Sequence, residues 1–126
     1  WRTASMRRIL LAACVVMAFS TGVVAQDGAT IFKKCSACHS LDAPVNKVGP
    51  HLVRIIGRKA GSLEDYKYSA AMKAAGEAGL VWDEATLSDY LLAPKARVPG
   101  TKMAFSGLKS KEDIASLIEY LRDAGK

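Results

Sequence analysis

The run CSACHS at residues 35–40 sets two cysteines three positions apart, Cys35 and Cys38, with His39 directly behind the second. Two thiols and an imidazole within five residues suit a redox disulfide, half of a zinc site or a covalent haem anchor. Zinc wants four closely held ligands, and besides His39 the sequence offers only His51, with no second cysteine or histidine pair. A thioredoxin-like redox pair belongs at a helix N-terminus after a strand; this pair closes a helical stretch with no strand pattern nearby. An incidental disulfide leaves His39 without a role. Covalent haem employs all three residues: each thiol bonds one vinyl group of the porphyrin, and the next residue is placed to bring an imidazole to the iron.

What lies on the other face of such an iron separates a carrier from an enzyme, because axial identity sets the chemistry. Past residue 25 there is no further cysteine, and there are two methionines, Met72 and Met103. Met72 lies in an alanine-rich helical stretch, where a thioether commonly fills a core gap. Met103 lies in PGTKMAF, a Pro-Gly-led loop that can be shaped to aim a sulfur inward, and is the better candidate. A haem peroxidase or a ligand sensor is the rival reading. It needs an open or labile distal site, for the peroxidase with an acid/base group above the iron, and the one spare histidine is His51, next to Pro50.

Such a centre needs a scaffold, and the first 25 residues are not part of it. Arg7 and Arg8 precede an apolar run from Ile9 to Phe19, and small residues follow to Ala25. These are the parts of a secretory signal peptide cut before Gln26, with Met6 the more plausible start and residues 1–5 upstream of it. Of 18 basic residues three fall in this leader, which leaves 15 against 12 acidic ones and a domain of about +3 over residues 26–126. Cys14 leaves with it.

In the remaining chain three segments carry a helical pattern: residues 28–38, running into the cysteine pair; 83–93, opening on Asp83; and 111–124, where Ile114, Leu117, Ile118 and Leu121 recur at helical spacing behind Ser110. A weaker helix covers 69–76. Pro and Gly break up residues 40–66 and 94–107, and strand signals are nearly absent. Short helices with two long irregular loops need something further to pack against, and a cofactor would serve.

From about Gly28 to the end the chain resembles the class I cytochrome c family. The resemblance rests on CSACH, GPHL at 49–52, GRKAG at 57–61, YKYSAAM at 66–72, Trp82, YLLAPK at 90–95 and VPGTKMAF at 98–105. It implies an all-α cytochrome c fold wrapped around one haem c, with thioether bonds from Cys35 and Cys38, His39 as proximal ligand and Met103 as distal ligand. It further implies that the Pro50 carbonyl accepts from His39, that Arg58, Tyr68 and Trp82 enclose the propionates, and that Tyr90 stands beside the methionine sulfur. Gly28, Phe32 and Tyr120 would form the crossing of the first and last helices. Two positions depart from the pattern: Met72 where mitochondrial members commonly carry asparagine, and Arg54 where a loop glycine is usual.

The activity implied is one-electron transfer without catalysis. The implied setting is periplasmic, as a monomer with no nucleic-acid partner and no stable membrane insertion once the leader is removed. Partners would be redox proteins with acidic docking patches: a quinol-oxidising complex on one side, a terminal oxidase or photosynthetic reaction centre on the other. Lys33, Lys34, Lys47, Lys95, Lys102 and Lys109 flank the two haem motifs, while acids at 64, 65, 77, 83, 84 and 89 cluster between them. That distribution predicts a charge dipole with its positive end at the haem edge.

Overall fold

The computed structural model describes residues 13–18 and 26–126. The expected leader cleavage after Ala25 lies outside the described residues, and residues 13–18 are exposed and form neither helix nor strand. Five helices follow: α1 (Gly28–Phe32), α2 (Ala70–Glu77), α3 (Glu84–Leu92), α4 (Pro94–Arg97) and α5 (Lys111–Ala124). Among the described residues there is no sheet, only an isolated antiparallel bridge between Lys59 and Val81.

The helix α5 forms where its pattern predicts. Ser110 Oγ accepts from the Asp113 N–H at 3.2 Å, and Ile114, Leu117, Ile118 and Leu121 are all 1–4% exposed. Each such buried aliphatic side chain contributes about 1.5–3 kcal/mol relative to exposure. The start of α3 is a reciprocal cap in which Asp83 Oδ1 accepts from the Thr86 N–H at 2.8 Å and the Asp83 N–H donates to Thr86 Oγ1 at 2.9 Å. This helix buries Leu87, Tyr90 and Leu91 and stops two residues before Pro94, the first residue of α4. Pro94 fits there because a first-turn residue needs no N–H partner. The weaker helix is real: Ser69 Oγ accepts from Met72 N–H at 3.0 Å and starts α2.

The first segment departs from expectation. Helix runs only to Phe32, and residues 33–38 continue as turns. The cause is visible in the bonding: Lys33, Lys34 and Cys35 donate to carbonyls three residues back, then Cys38 and His39 both donate to Cys35 O at 3.0 and 2.9 Å. Tightened turns, rather than the straight rise of a helix, present the cysteine pair.

The helices α1 and α5 cross closely. A Cβ on Gly28 would overlap Ser116 O and stand 2.6 Å from Tyr120 Cβ, and the Phe32 and Tyr120 rings lie 5.6 Å apart beside it. The long loop 39–69 is tied to later chain by backbone bonds: Gly57 N–H to Trp82 O at 2.7 Å, Trp82 N–H to Arg58 O at 2.8 Å, and Ala60 N–H to Leu80 O at 2.9 Å. Arg54 adopts φ of +53° while its N–H reaches Gly125 O at 2.6 Å. A non-glycine residue in that region costs about 1–2 kcal/mol, so this departure from the glycine pattern is carried as local strain.

Candidate functional site

The cysteine turn that follows α1, the helices α2 and α3 and the loops at 48–58, 66–69 and 101–105 enclose a cavity of about 590 Å³, which Leu117 and Leu121 of α5 also line. All the residues singled out in the sequence border it: Cys35, Cys38, His39, Pro50, Arg58, Tyr68, Trp82, Tyr90 and Met103. Separations of up to 68 positions in the chain, from Cys35 to Met103, are closed by the packing of the two long loops on the helices.

His39 is fixed from two directions. Its Nδ1 lies 2.7 Å from Pro50 O, so Nδ1 carries the proton and Nε2 keeps its lone pair. The face of the ring rests on buried Gly49, where a Cβ would stand 2.8 Å from Nδ1 and 3.0 Å from Nε2. Burial holds His39 below the usual imidazole value, with the Pro50 bond pulling the other way, so the ring is neutral near pH 7. A neutral, oriented imidazole is the form that binds a metal.

The two thiols are free of each other. Burial first, then the Cys38 charge, pushes the Cys35 thiol up, and Lys34 pulls it down. It therefore lacks the depressed value of a redox or nucleophilic cysteine.

Met103, also on the lining, is partly buried, with its N–H directed to Thr101 Oγ1 at 3.3 Å. The same hydroxyl lies 2.7 Å from Tyr90 OH. Burial keeps Tyr90 above the usual phenol value, although the Thr101 bond lowers it, and so it stays neutral. Trp82 is buried with its ring 5.0 Å from that of Tyr90, while Tyr68 stacks edge-on against Tyr66 at 4.8 Å and accepts from the Leu63 N–H at 3.3 Å. Arg58 stands at the wall with its guanidinium directed to the carbonyls of His51 and Val53 at 2.7 and 2.5 Å.

Several lining residues lie outside the sequence-derived set. Gly49 and Thr101 sit inside GPHL and PGTKMAF, so their motifs signalled them without assigning them work. Met72, read as a gap-filler, is both packed on the core and part of the cavity wall. His51 does not border the cavity; it stands behind Arg58.

An apolar chamber between helices, entered by a paired-thiol turn and an oriented imidazole, defines a protein with a covalently held c-type haem. The residues fit the group: a free thiol pair, an unprotonated Nε2, and a ring seat that a single added methyl at Gly49 would fill. Residues 25–125 match the sequence model of the family described as Cytochrome c. Cytochrome c2 of Agrobacterium tumefaciens is 53% identical over 95 residues, covering 75% of this chain and 86% of that protein. Cytochrome c2 of Afifella marina is 50% identical over 96 residues, covering 75% and 77%. Among solved structures, cytochrome cH from Methylobacterium extorquens is similar with a TM-score of 0.68 and 40% identity, over 77% of this chain and 98% of that one.

The chain belongs to the cytochrome c family. With the family come the all-α cytochrome c fold, one covalent haem on the motif supplied by Cys35, Cys38 and His39, and electron transfer rather than enzymatic turnover.

Proposed function

We propose that the chain is an exported, periplasmic, monomeric one-electron carrier whose haem is ligated by His39 and Met103, shuttling between a quinol-oxidising complex and a terminal acceptor. The observation that carries this reading is the convergence of Met103, the Pro50-bonded His39 and both cysteines on the lining of one chamber. When bound, the haem supplies a ferric/ferrous couple, and a thioether ligand raises its potential. The chain's own residues then limit reorganisation. Pro50 holds the imidazole in one tautomer, Thr101 seats the Met103 backbone and the neutral phenol of Tyr90, and the apolar walls from Leu52, Ile55, Leu91 and Leu117 exclude water. Arg58, Tyr68 and Trp82 line the wall where the propionates are expected.

Among the described residues no helix is long and apolar enough to cross a membrane. Lys34 and Lys102 border the cavity mouth and offer a positive face to acidic patches on an oxidase or photosynthetic reaction centre. The test is the visible spectrum of the exported holoprotein in both oxidation states, with carbon monoxide added to the reduced form. Low-spin spectra that ignore carbon monoxide, plus a reversible one-electron wave, are expected. Rapid carbon monoxide binding would favour a peroxidase or sensor instead.

A further inference from the structure

Arg58 is partly buried at the cavity wall where the propionates are expected, and its protein partners are neutral acceptors. Nη1 donates to the His51 carbonyl at 2.7 Å, Nη2 donates to the Val53 carbonyl at 2.5 Å, and Nη2 also stands 3.3 Å from His51 Nδ1. Arginine has donors only, so the third contact places the lone pair on Nδ1 and the proton of a neutral His51 on Nε2. His51 therefore acts on the guanidinium twice, through its backbone and through its ring.

The ring is itself tightly set. His51 is 9% exposed, and its N–H donates to Asn46 Oδ1 at 2.9 Å while Asn46 Nδ2 donates to the Asp65 carbonyl at 3.3 Å. The charged groups bearing on it are Arg58 and Asp65. Burial first, then the Arg58 charge, holds His51 below the usual imidazole value, and Asp65 opposes them. At neutral pH the ring is an acceptor for Arg58; once protonated it ceases to be one.

We propose that His51 is a positioning residue for Arg58 that couples electron uptake in the haem cavity to proton uptake at His51 Nδ1. The inference rests on the one-electron-carrier reading. Protonation turns Nδ1 from acceptor to donor, removes one of the three contacts that pin the guanidinium, and sets a second positive charge beside it. The wall of the cavity becomes more positive. An electron arriving from a donor protein lowers the charge within by one unit and so favours the protonated ring. The balance is one electron from the donor and, in the acid range, up to one proton from water onto Nδ1; no other bond is made or broken. Linkage requires that reduction raise the proton affinity of His51 by the same factor by which protonation raises electron affinity. For a unit charge acting through a screened protein layer that factor is about threefold, which at 59 mV per tenfold for one electron is about 28 mV.

The wild-type holoprotein tests this without any substitution. Proton NMR titration of the His51 ring in the reduced and oxidised protein should give a pKa about half a unit higher in the reduced form, both lying below the ordinary imidazole value. The potential should fall with rising pH between those two values and be flat above them. In His51→Asn the amide oxygen offers Arg58 an acceptor that does not titrate, so the bend should vanish while the neutral-pH potential is retained. Equal His51 pKa values in the two oxidation states, or a bend that survives in His51→Asn, would overturn the linkage while leaving the carrier reading intact. Absence of a reversible one-electron wave from the wild type would overturn both.

Discussion

Adding one methyl at Gly49 drives a carbon against the His39 imidazole. The position is buried, and an ideal Cβ there stands 2.8 Å from His39 Nδ1, 3.0 Å from Nε2 and closer still to Cε1. Carbon contacts are comfortable at about 3.5–4.0 Å, so ring and backbone must yield roughly 1–1.5 Å at Cε1. Overpacking of this kind costs about 1–3 kcal/mol, and losing the Nδ1–H bond to Pro50 adds about 0.5–1.5 kcal/mol. Gly49→Ala holoprotein should therefore lose about 2–4 kcal/mol in urea unfolding, and its ferric visible spectrum should change as the ring tilts. Gly57→Ala is the control. Gly57 has φ of +89° with open space around its Cβ position, so the substitution costs about 1–2 kcal/mol through backbone strain alone and leaves the spectrum as it was. A Gly49→Ala protein with an unchanged spectrum and a loss no larger than that of Gly57→Ala would refute the steric argument.

Three further outcomes are expected. Chain lacking haem through Cys35→Ala and Cys38→Ala should keep some far-ultraviolet circular dichroism but lose its near-ultraviolet signal, since the chamber then has no apolar centre; a cooperative native-like melt would contradict this. Met103→Ala should abolish the weak long-wavelength sulfur-to-iron band of the ferric protein and lower its potential, whereas Met72→Ala should keep the band; the reverse pattern would reassign the ligand. Charge reversal at Lys102, which borders the cavity, should slow electron transfer to a physiological partner about tenfold at low salt, against a much smaller effect at Lys126; Lys67, expected from the sequence to lie away from this edge, is no control, because its carbonyl accepts from Lys102 Nζ at 2.7 Å. Equal slowing at Lys102 and Lys126 would dismiss a steered face.

The sequence was most legible where one physical signal acts locally. The stripe Ile114, Leu117, Ile118, Leu121 and the caps Ser110 and Asp83 determine α5 and α3 almost to the residue, because period and capping chemistry are both written within a few positions. The segment after Phe32 misled for the opposite reason. Its composition permits helix, but bonding to Cys35 O converts it into turns, and that choice depends on what the thiols must face. The short helix α4 was unreadable because four residues carry no period, though Pro94 marks its start. The cavity residues were found through motifs, yet the reach of Arg58 to His51 joins a residue expected at the propionates to a histidine left without a role. The spacing of seven positions has no helical or strand meaning, so only a folded loop brings the pair together.

The crossing of α1 and α5 joins the two ends of the domain, which makes everything between Phe32 and Lys111 a single closed loop fastened at its base. The entropy of closing so long a loop grows only with the logarithm of its length, so one tight clasp at Gly28 and Tyr120 suffices to hold it. The cysteine turn lies immediately beside the clasp, whereas the Met103 segment lies on the far arc and carries no helix between Val98 and Ser110. Local opening of that arc and global unfolding are therefore separate events with separate free energies. In amide hydrogen exchange the N–H groups of Ile118 and Leu121 would be the last to exchange, and those around Met103 among the first, with the prosthetic group still tethered to the chain.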